Sequence, residues 1–165
     1  VVSLSERYGE EAICREPYGE IVDDMEEWLK TFCHRHQIGA AVRQGNVQML
    51  GASGTVTTLA GVSLNLPRYD RSMVDGVTLD FEEVESVSER LRHMACEERS
   101  AHPCIGAERA KLVIAGCAVL EAIMRRWSVG SIRVADRGVR EGILFELMQQ
   151  AAAERDAGRG AHGSR

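Results

Sequence analysis

The segment from Lys111 to Met124, KLVIAGCAVLEAIM, is apolar on nearly every side when it is placed on a helix. A helix of this kind must be surrounded by other parts of the fold, whereas a surface helix needs only one apolar stripe. Its longest uncharged apolar stretch, Leu112 to Leu120, has nine residues, and a membrane span needs about 20. The pattern therefore predicts the most buried and longest helix of a soluble, membrane-free domain, over 106–127.

Four further helices and two or three strands are predicted around this central helix. The repeat of apolar residues and the positions of glycine and proline mark their limits. The predicted helices cover 17–37, 55–66, a segment from Asp80 to a break at Pro103, and 139–154, and the predicted strands cover 47–50, 77–79 and 131–135. The strands are apolar, which is typical of strands with neighbours on both sides, so the chain is short of strands for its own sheet. We therefore expect further sequence upstream of residue 1.

The helix over 17–37 is expected to bury one face. Its apolar side chains fall in a single stripe that runs from Ile21 through Trp28 and Phe32 to Cys33. Gly39 follows the last turn and is typical of a helix stop. In the later helix that begins after Asp80, a glutamate three residues on completes a capping box.

The charge of the chain is acidic overall and unevenly distributed. The formal net charge is −5, with 10 basic and 18 acidic side chains in residues 1–100 and 10 basic and 7 acidic ones in residues 101–165. This balance argues against general nucleic-acid binding. It leaves open a small anionic ligand held by a local basic cleft.

The five cysteines predict neither a disulfide framework nor a metal centre. They have no C-x-x-C spacing, and we expect all of them to be reduced, in a cytoplasmic protein without a signal peptide. Cys117 is expected to pack as a small apolar side chain in the central helix. His93, Cys96, His102 and Cys104 match no closed zinc pattern, so no metal ligand is assigned.

The turn from Gly51 to Thr55 is the strongest local signal of a site. It joins a predicted strand to the N-terminus of a predicted helix, in the sequence Gly-Ala-Ser-Gly-Thr. The N–H groups of a first helical turn and the helix dipole both attract phosphate. No lysine follows the second glycine, so the turn is not a Walker A loop. Anion binding and a plain strand-to-helix turn both remain open, and Thr57 and Thr58 are interpreted as ordinary helical residues.

A second turn, 134–142, has the same order of strand, polar glycine turn and helix. Asp136 is best interpreted as the N-cap of the last helix. A phosphate contact by Arg137 or Arg140 is the alternative. Arg109 lies at the start of the central helix, where the dipole does not favour a cation. It is either a ligand or interdomain contact, or a member of a surface salt bridge.

Taken together, these segments resemble the Ppx/GppA phosphatases, a family of exopolyphosphatases and guanosine pentaphosphate phosphohydrolases. The motifs that carry the resemblance are LGASGTVTTL over 50–59, YDR and VDG over 69–76, the segment from Ile105 to Gly116, and VADRGVREGIL over 134–144. The resemblance implies an α/β chain that is the second lobe of an actin-like ATPase (ribonuclease-H-like) fold, truncated at its N-terminus, helix-rich and with few strands. This lobe would occupy 1–154, followed by a disordered tail over 155–165.

The resemblance also implies a chemistry, which is the hydrolysis of phosphoanhydride bonds in polyphosphate or guanosine pentaphosphate. A magnesium ion and backbone N–H groups would neutralise phosphate charge, and a carboxylate would orient the attacking water. The implied phosphate contacts are Gly51, Ser53, Gly54 and Thr55, with Arg109 and Arg137 at family positions of unassigned role. The catalytic acid would lie in the first, N-terminal lobe of the same protein, so no catalytic residue is assigned here.

Two alternatives follow from that division of the site, and a third is a purely structural or dimerising remnant with the apolar helix over 112–124 as a core element. As part of a hydrolase, the chain would be inactive alone and would need the first lobe as its partner. As a free-standing module, it would bind polyphosphate or guanosine polyphosphate without turnover. A homodimer is left open in both cases.

Overall fold

The computed structural model describes residues 18–162, and their side chains as far as Arg155. Predictions about residues 1–17, Cys14 among them, and about 163–165 lie outside the described residues. The elements follow one another as α1 (Tyr18–His36), α2 (Ile38–Arg43), β1 (Met49–Gly51), α3 (Gly54–Ser63), α4 (Arg71–Val74), β2 (Thr78–Asp80), α5 (Phe81–His93), α6 (Cys96–Ala101), α7 (Ala107–Ala110), α8 (Val113–Arg126), β3 (Ser131–Val134) and α9 (Val139–His162).

The described strands form a small mixed sheet in the order β1-β3-β2. β1 runs parallel to β3, with Gly51 opposite Val134, and β2 runs antiparallel to β3, with Leu79 opposite Ile132. Because the carboxyl ends of parallel neighbours meet at one edge of a sheet, the turns that follow β1 and β3 lie side by side. The two predicted glycine turns are therefore brought to the same edge.

The hydrophobic core is built around α8, as the sequence predicts. Nine of its residues are buried, among them Ile114 and Cys117. α1 packs along it, and the Tyr18 hydroxyl donates to Glu121 at 2.8 Å across the two helices. Burial raises the pKa of the Cys117 thiol to about 11, so it is a neutral apolar side chain at neutral pH.

The central helix is shorter than predicted. A separate turn of helix, α7, ends at Ala110, and α8 begins at Val113, so 106–127 is not one helix. The longest described helix is instead α9, which continues to His162, past the predicted end at Glu154. Among residues 18–162, no helix has both the length and the apolar composition to cross a membrane.

The helix that follows Asp80 also ends earlier than predicted. Its capping box with Glu83 is confirmed, but α5 stops at His93 and α6 ends before Pro103. The buried Arg99 explains the break, because its guanidinium donates to the carbonyl oxygens of Leu91 at 3.1 Å and Met94 at 2.6 Å. A side chain thus satisfies carbonyls that would otherwise need a continuing helix.

The first helix buries only part of its predicted stripe. Ile21 and Cys33 are buried, whereas Trp28 and Phe32 are exposed, although the Phe32 ring lies 6.4 Å from the Trp127 ring at the end of α8. The helix does not stop at Gly39. It breaks at Gln37, which adopts a left-handed backbone with φ of 54°, and Gly39 lies inside α2.

The prediction that each strand has neighbours on both sides holds only for β3 within the described part of the chain. β1 pairs there with β3 alone, and Leu50 on β1 is 63% exposed. The apolar side chains of these short strands pack against helices on one face of the sheet. The sequence pattern of such a strand does not differ enough from that of a strand buried on both faces to distinguish the two. α3 ends at Ser63 rather than at Leu66.

Candidate functional site

The glycine turn after β1 ends in a capped helix N-terminus. Ser53 has an extended backbone, and its Oγ accepts a hydrogen bond from the N–H of Val56 at 3.3 Å. The first backbone hydrogen bond of the helix runs from the N–H of Thr57 to the carbonyl of Ser53, at 3.1 Å. The N–H groups of Gly54 and Thr55 come before this bond and lie at the open N-terminus of the helix. Ser53 and Gly54 are exposed. This arrangement offers backbone donors and the positive end of a helix dipole to an anion.

Gly51 has a packing role in this turn. A Cβ atom at this position would lie 2.7 Å from both Ile132 Cδ1 and Val56 Cγ1, so only glycine lets β1, β3 and α3 approach this closely. Gly51 is buried. A ligand contact by Gly51 remains a prediction.

Thr55 is held against the central helix. A Cβ atom on Gly116 would lie 2.8 Å from Thr55 Cγ2 and 2.9 Å from Thr55 Cβ, which places the two backbones in close contact. The N-terminus of α3 is thus fixed on α8. Rigid placement of this kind is what a binding site built from backbone donors requires.

Arg109 lies directly beside the glycine turn. A Cβ atom on Gly54 would be 3.8 Å from the Arg109 guanidinium carbon, and Arg109 Nη1 donates to Thr58 Oγ1 at 3.2 Å. Arg109 is exposed, and it reaches the turn from α7. The structure therefore brings Gly54 and Arg109, two residues predicted separately, to one place and adds a cation next to the helix N-terminus.

Tyr69 joins Arg109 to the second turn. The guanidinium of Arg109 lies 5.8 Å from the centre of the Tyr69 ring, and the Tyr69 hydroxyl donates to Asp136 Oδ2 at 2.9 Å. Partial burial raises the pKa of Tyr69, so the hydroxyl remains a donor at neutral pH. The ring stabilises a cation at this position.

The second turn is held by ion pairs. Arg137 Nε donates to Asp75 Oδ2 at 2.9 Å, and the backbone N–H of Asp136 donates to the other oxygen of Asp75 at 2.9 Å. The Arg137 guanidinium, supported by the Asp136 N–H, lowers the pKa of the Asp75 carboxyl. Arg137 is exposed and paired with Asp75, so the phosphate contact predicted for it would require a ligand to share or replace that pair.

Asp136 is not the N-cap of the last helix. Its carboxylate accepts from Tyr69 and lies 3.3 Å from Arg71 Nε. The Glu141 side chain instead accepts from the Gly138 N–H at 2.8 Å, and this bond is the main cause of its pKa of about 2. The sequence position suited a cap, but the tertiary partners of Asp136 determine where its carboxylate points.

Two neighbours of the candidate site, Tyr69 and Thr58, are not predicted from the sequence. Tyr69 belongs to the motif over 69–76 without a predicted role, and Thr58, predicted to be an ordinary helical residue, is buried and accepts a hydrogen bond from Arg109. The position of Tyr69 within the motif over 69–76 was the available signal. For Thr58 a signal was lacking, because its partner is distant in sequence.

An apolar groove flanks the other side of the turn. Its volume is about 310 Å³, and it lies between β1 and α8, with Leu50, Val119 and Ile123 in its walls. Apolar walls do not compensate the loss of water around a phosphate. The candidate anion site is therefore on the side of Gly54 and Arg109.

The described residues do not form a metal centre by themselves. Within 18–162, no group of three or more histidine, cysteine, aspartate or glutamate side chains is placed to hold a metal ion. These residues do not fit a resident magnesium site of their own, so we derive no step through magnesium.

Comparison with known proteins agrees with this fold. The structure matches a Ppx/GppA family member from Aquifex aeolicus with a TM-score of 0.69 and 23% identity, over 90% of this chain and 46% of that chain. An exopolyphosphatase-like protein matches with a TM-score of 0.68 and 25% identity, over 89% and 48%. An exopolyphosphatase from Cytophaga hutchinsonii matches with a TM-score of 0.62 and 19% identity, over 78% and 42%. No curated protein matches the chain.

The chain therefore has the fold of one lobe of an actin-like ATPase and corresponds to less than half of the solved structures that it matches. The model of the Ppx/GppA phosphatase family matches residues 2–151. The chain belongs to the Ppx/GppA phosphatase family.

Proposed function

We propose that this chain is the phosphate-binding second lobe of a hydrolase that cleaves phosphoanhydride bonds of inorganic polyphosphate or guanosine pentaphosphate. The observation that carries the proposal is the position of the Arg109 guanidinium beside Gly54, at the capped N-terminus of α3. A guanidinium and backbone N–H groups together favour a phosphate over a neutral ligand.

The residues of the chain would act on the charge of the substrate. The N–H groups of Gly54 and Thr55, the Ser53 hydroxyl and the Arg109 guanidinium would hold a terminal phosphate and stabilise the charge that develops when its bridging bond breaks. A carboxylate that orients the attacking water would come from the first lobe. Since the chain spans about half the length of the structures it matches, we expect no turnover by this chain alone.

Magnesium is proposed for the intact enzyme only. Protein-bound magnesium is commonly held by one or two carboxylates together with substrate phosphates. In that case the first lobe and the substrate would supply most of its ligands. When bound, the ion would neutralise charge on the phosphate chain.

Ligand binding tests the proposal on this chain. Titration calorimetry with polyphosphate and with guanosine tetraphosphate should give measurable heat, and both ligands should raise the melting temperature. Gly54→Val should abolish the heat, because its methyl groups would enter the space of the Arg109 guanidinium. Gly54→Ala is the matched control, since its Cβ would lie at an ordinary contact distance of 3.8 Å from that group. Equal binding by the two variants would remove the turn from the site.

Turnover separates the hydrolase from the second candidate, a binding module without catalysis. The observation that favours the module is that the donors of the turn are all present in a chain half as long as its structural relatives. Phosphate release should be measured with both substrates, for this chain and for the protein encoded by its complete reading frame. Release by the longer protein alone supports the hydrolase, and binding without release by either supports the module.

A further inference from the structure

The one-turn helix that carries Arg109 is too short to fix its own position. α7 has only four residues, Ala107–Ala110, and isolated helices shorter than about 12 residues are marginal in water. It is joined to α8 through Lys111 and Leu112, which belong to neither helix. The direction in which the Arg109 side chain points is therefore set by contacts from other elements.

The buried Arg99 on α6 holds the end of α7. Its side chain is 2% exposed, and its Nε donates to the carbonyl oxygen of Ala110 at 3.2 Å. Ala110 directly follows Arg109 in the chain and is itself fully buried. The carbonyl that Arg99 binds is thus one residue away from the side chain that reaches the glycine turn.

The guanidinium of Arg99 is anchored on a second helix at the same time. Its Nη1 donates to the carbonyl oxygens of Leu91 at 3.1 Å and Met94 at 2.6 Å. Leu91 lies in the last turn of α5, which packs against both α3 and α8. One planar group therefore joins the C-terminal end of α7 to a helix that belongs to the core.

This set of bonds requires the geometry of arginine. A guanidinium carries its N–H donors on a rigid, planar fork and keeps its charge at every pH that the folded chain meets. The ammonium of a lysine has the same charge, but all of its donors are on one atom. A lysine at position 99 could not keep both the Nε bond to Ala110 and the Nη1 bonds to α5 in their present places.

We propose that Arg99 is a positioning residue for phosphate binding, which sets the place of the Arg109 guanidinium beside Gly54. This inference rests on the proposed function, in which Arg109 binds phosphate. Arg109 donates to Thr58 at 3.2 Å and lies 5.8 Å from the centre of the Tyr69 ring. A movement of α7 by about 1 Å would be enough to break the bond to Thr58.

Side-chain NMR of the parent chain tests the link between α5 and α7. The Nε–H of Arg99 should exchange with water at least about 100-fold more slowly than the Nε–H of Arg140, because the first is buried and hydrogen-bonded. Arg140 is exposed. Equal exchange rates of the two groups would overturn the proposal without any substitution.

Substitution of Arg99 tests the effect on the site. In Arg99→Lys, the Nε–H resonance of Arg109 should move toward that of a free arginine. The affinity for inorganic polyphosphate in calorimetry should fall by about 3- to 10-fold, which is no more than the loss expected for Arg109→Gln. Arg99→Gln, which is uncharged but keeps N–H donors, should act in the same direction and replaces Arg99→Lys if that variant does not fold.

Val22→Ala is the matched control for a loss of stability alone. Val22 is a fully buried core residue of α1, so its truncation should lower the melting temperature through a cavity. At a temperature at which all variants are folded, it should change neither the Arg109 resonance nor the affinity. If Arg99→Lys also lowers only the melting temperature, Arg99 is a purely structural residue and the proposal is wrong.

A double-mutant cycle shows whether Arg99 acts through Arg109. In a chain that already carries Arg109→Gln, Arg99→Lys should weaken polyphosphate binding by less than about 2-fold, because no guanidinium is left to position. A loss as large as in the parent background would mean that Arg99 acts by another route, which would overturn the proposal.

The two readouts also separate this proposal from the proposed function. If the parent chain binds polyphosphate and the Arg109 resonance does not move in Arg99→Lys, the positioning role fails and the phosphate site stands. If polyphosphate gives no heat with the parent chain, the phosphate site fails, and a positioning role in phosphate binding fails with it, even where the Arg109 resonance moves.

Discussion

Gly116→Ala tests whether the site is built on a close contact between two helices. The added Cβ would lie 2.8 Å from Thr55 Cγ2 and 2.9 Å from Thr55 Cβ. The Thr55 Cβ cannot move without its backbone, so overpacking should cost about 3 kcal/mol, the upper part of the usual range. The better helix propensity of alanine offsets about 1 kcal/mol. The free energy of unfolding should fall by about 2 kcal/mol.

Chemical and thermal unfolding measure this change. For a domain of this size, about 2 kcal/mol corresponds to a melting temperature lower by about 4–8 °C. The matched control is Gly142→Ala, at a helical position where a Cβ would meet nothing within 4 Å. That variant should be more stable than the parent chain by about 0.5–1 kcal/mol.

A second substitution locates the cause. Thr55→Ala removes the Oγ1 and Cγ2 atoms, so the double variant Gly116→Ala with Thr55→Ala should recover part of the lost stability in a double-mutant cycle. Gly116→Ala should also weaken polyphosphate binding, because the N-terminus of α3 must shift. If Gly116→Ala were as stable as Gly142→Ala, or if Thr55→Ala gave no recovery, the inferred contact between α3 and α8 would be refuted.

Three further predictions follow from the charges and thiols of the chain. Arg109→Gln should weaken polyphosphate binding in calorimetry by about 10-fold or more, since a charged hydrogen bond is lost. Arg109→Lys keeps the charge and should retain part of the affinity. Unchanged affinity in Arg109→Gln would exclude Arg109 from the site. The Gly138 N–H lowers the pKa of Glu141 to about 2, so the stabilising effect of Glu141 is complete above its ordinary pKa and is lost as the pH falls toward 2. In an acid titration, Glu141→Gln should lack this loss of stability. An acid unfolding profile identical to that of the parent chain would contradict the prediction. Cys117 is buried and has a pKa of about 11, so it should resist alkylation at pH 8 in the folded chain, whereas the more accessible Cys96 should react. Equal labelling of the two cysteines in mass spectrometry would count against the described core.

Local patterns in the sequence determined much of the secondary structure. The glycine turn between β1 and α3, the capping box after Asp80 and the burial of Ile114 and its neighbours were all predicted correctly. Each of these signals acts within a few residues, through helix periodicity, a cap or a turn. Interactions of that range are encoded where they occur, so they can be read without knowing the fold.

The ends of the helices were harder to predict from the sequence. The end of α5 at His93 depends on Arg99, whose guanidinium takes over carbonyl oxygens of the preceding helix. The exposure of Trp28, between Ile21 and Cys33, which are buried, depends on which face of α1 packs against the rest of the fold. Both follow from contacts that propensity alone does not contain.

The site required the tertiary structure. The motifs indicated which residues matter, but the placement of Arg109 beside Gly54 and of Tyr69 on Asp136 results from the packing of α3, α7 and the sheet edge. In the same packing, Asp136, which the sequence predicts as a helix cap, is a hydrogen-bond partner of Tyr69, and Arg137 pairs with Asp75. The described side chains of α9 remain exposed, apart from Glu141. The sequence by itself determined the local elements and the family, because those depend on neighbouring residues, whereas only the folded chain decided which distant charges meet, because that depends on the packing of whole elements.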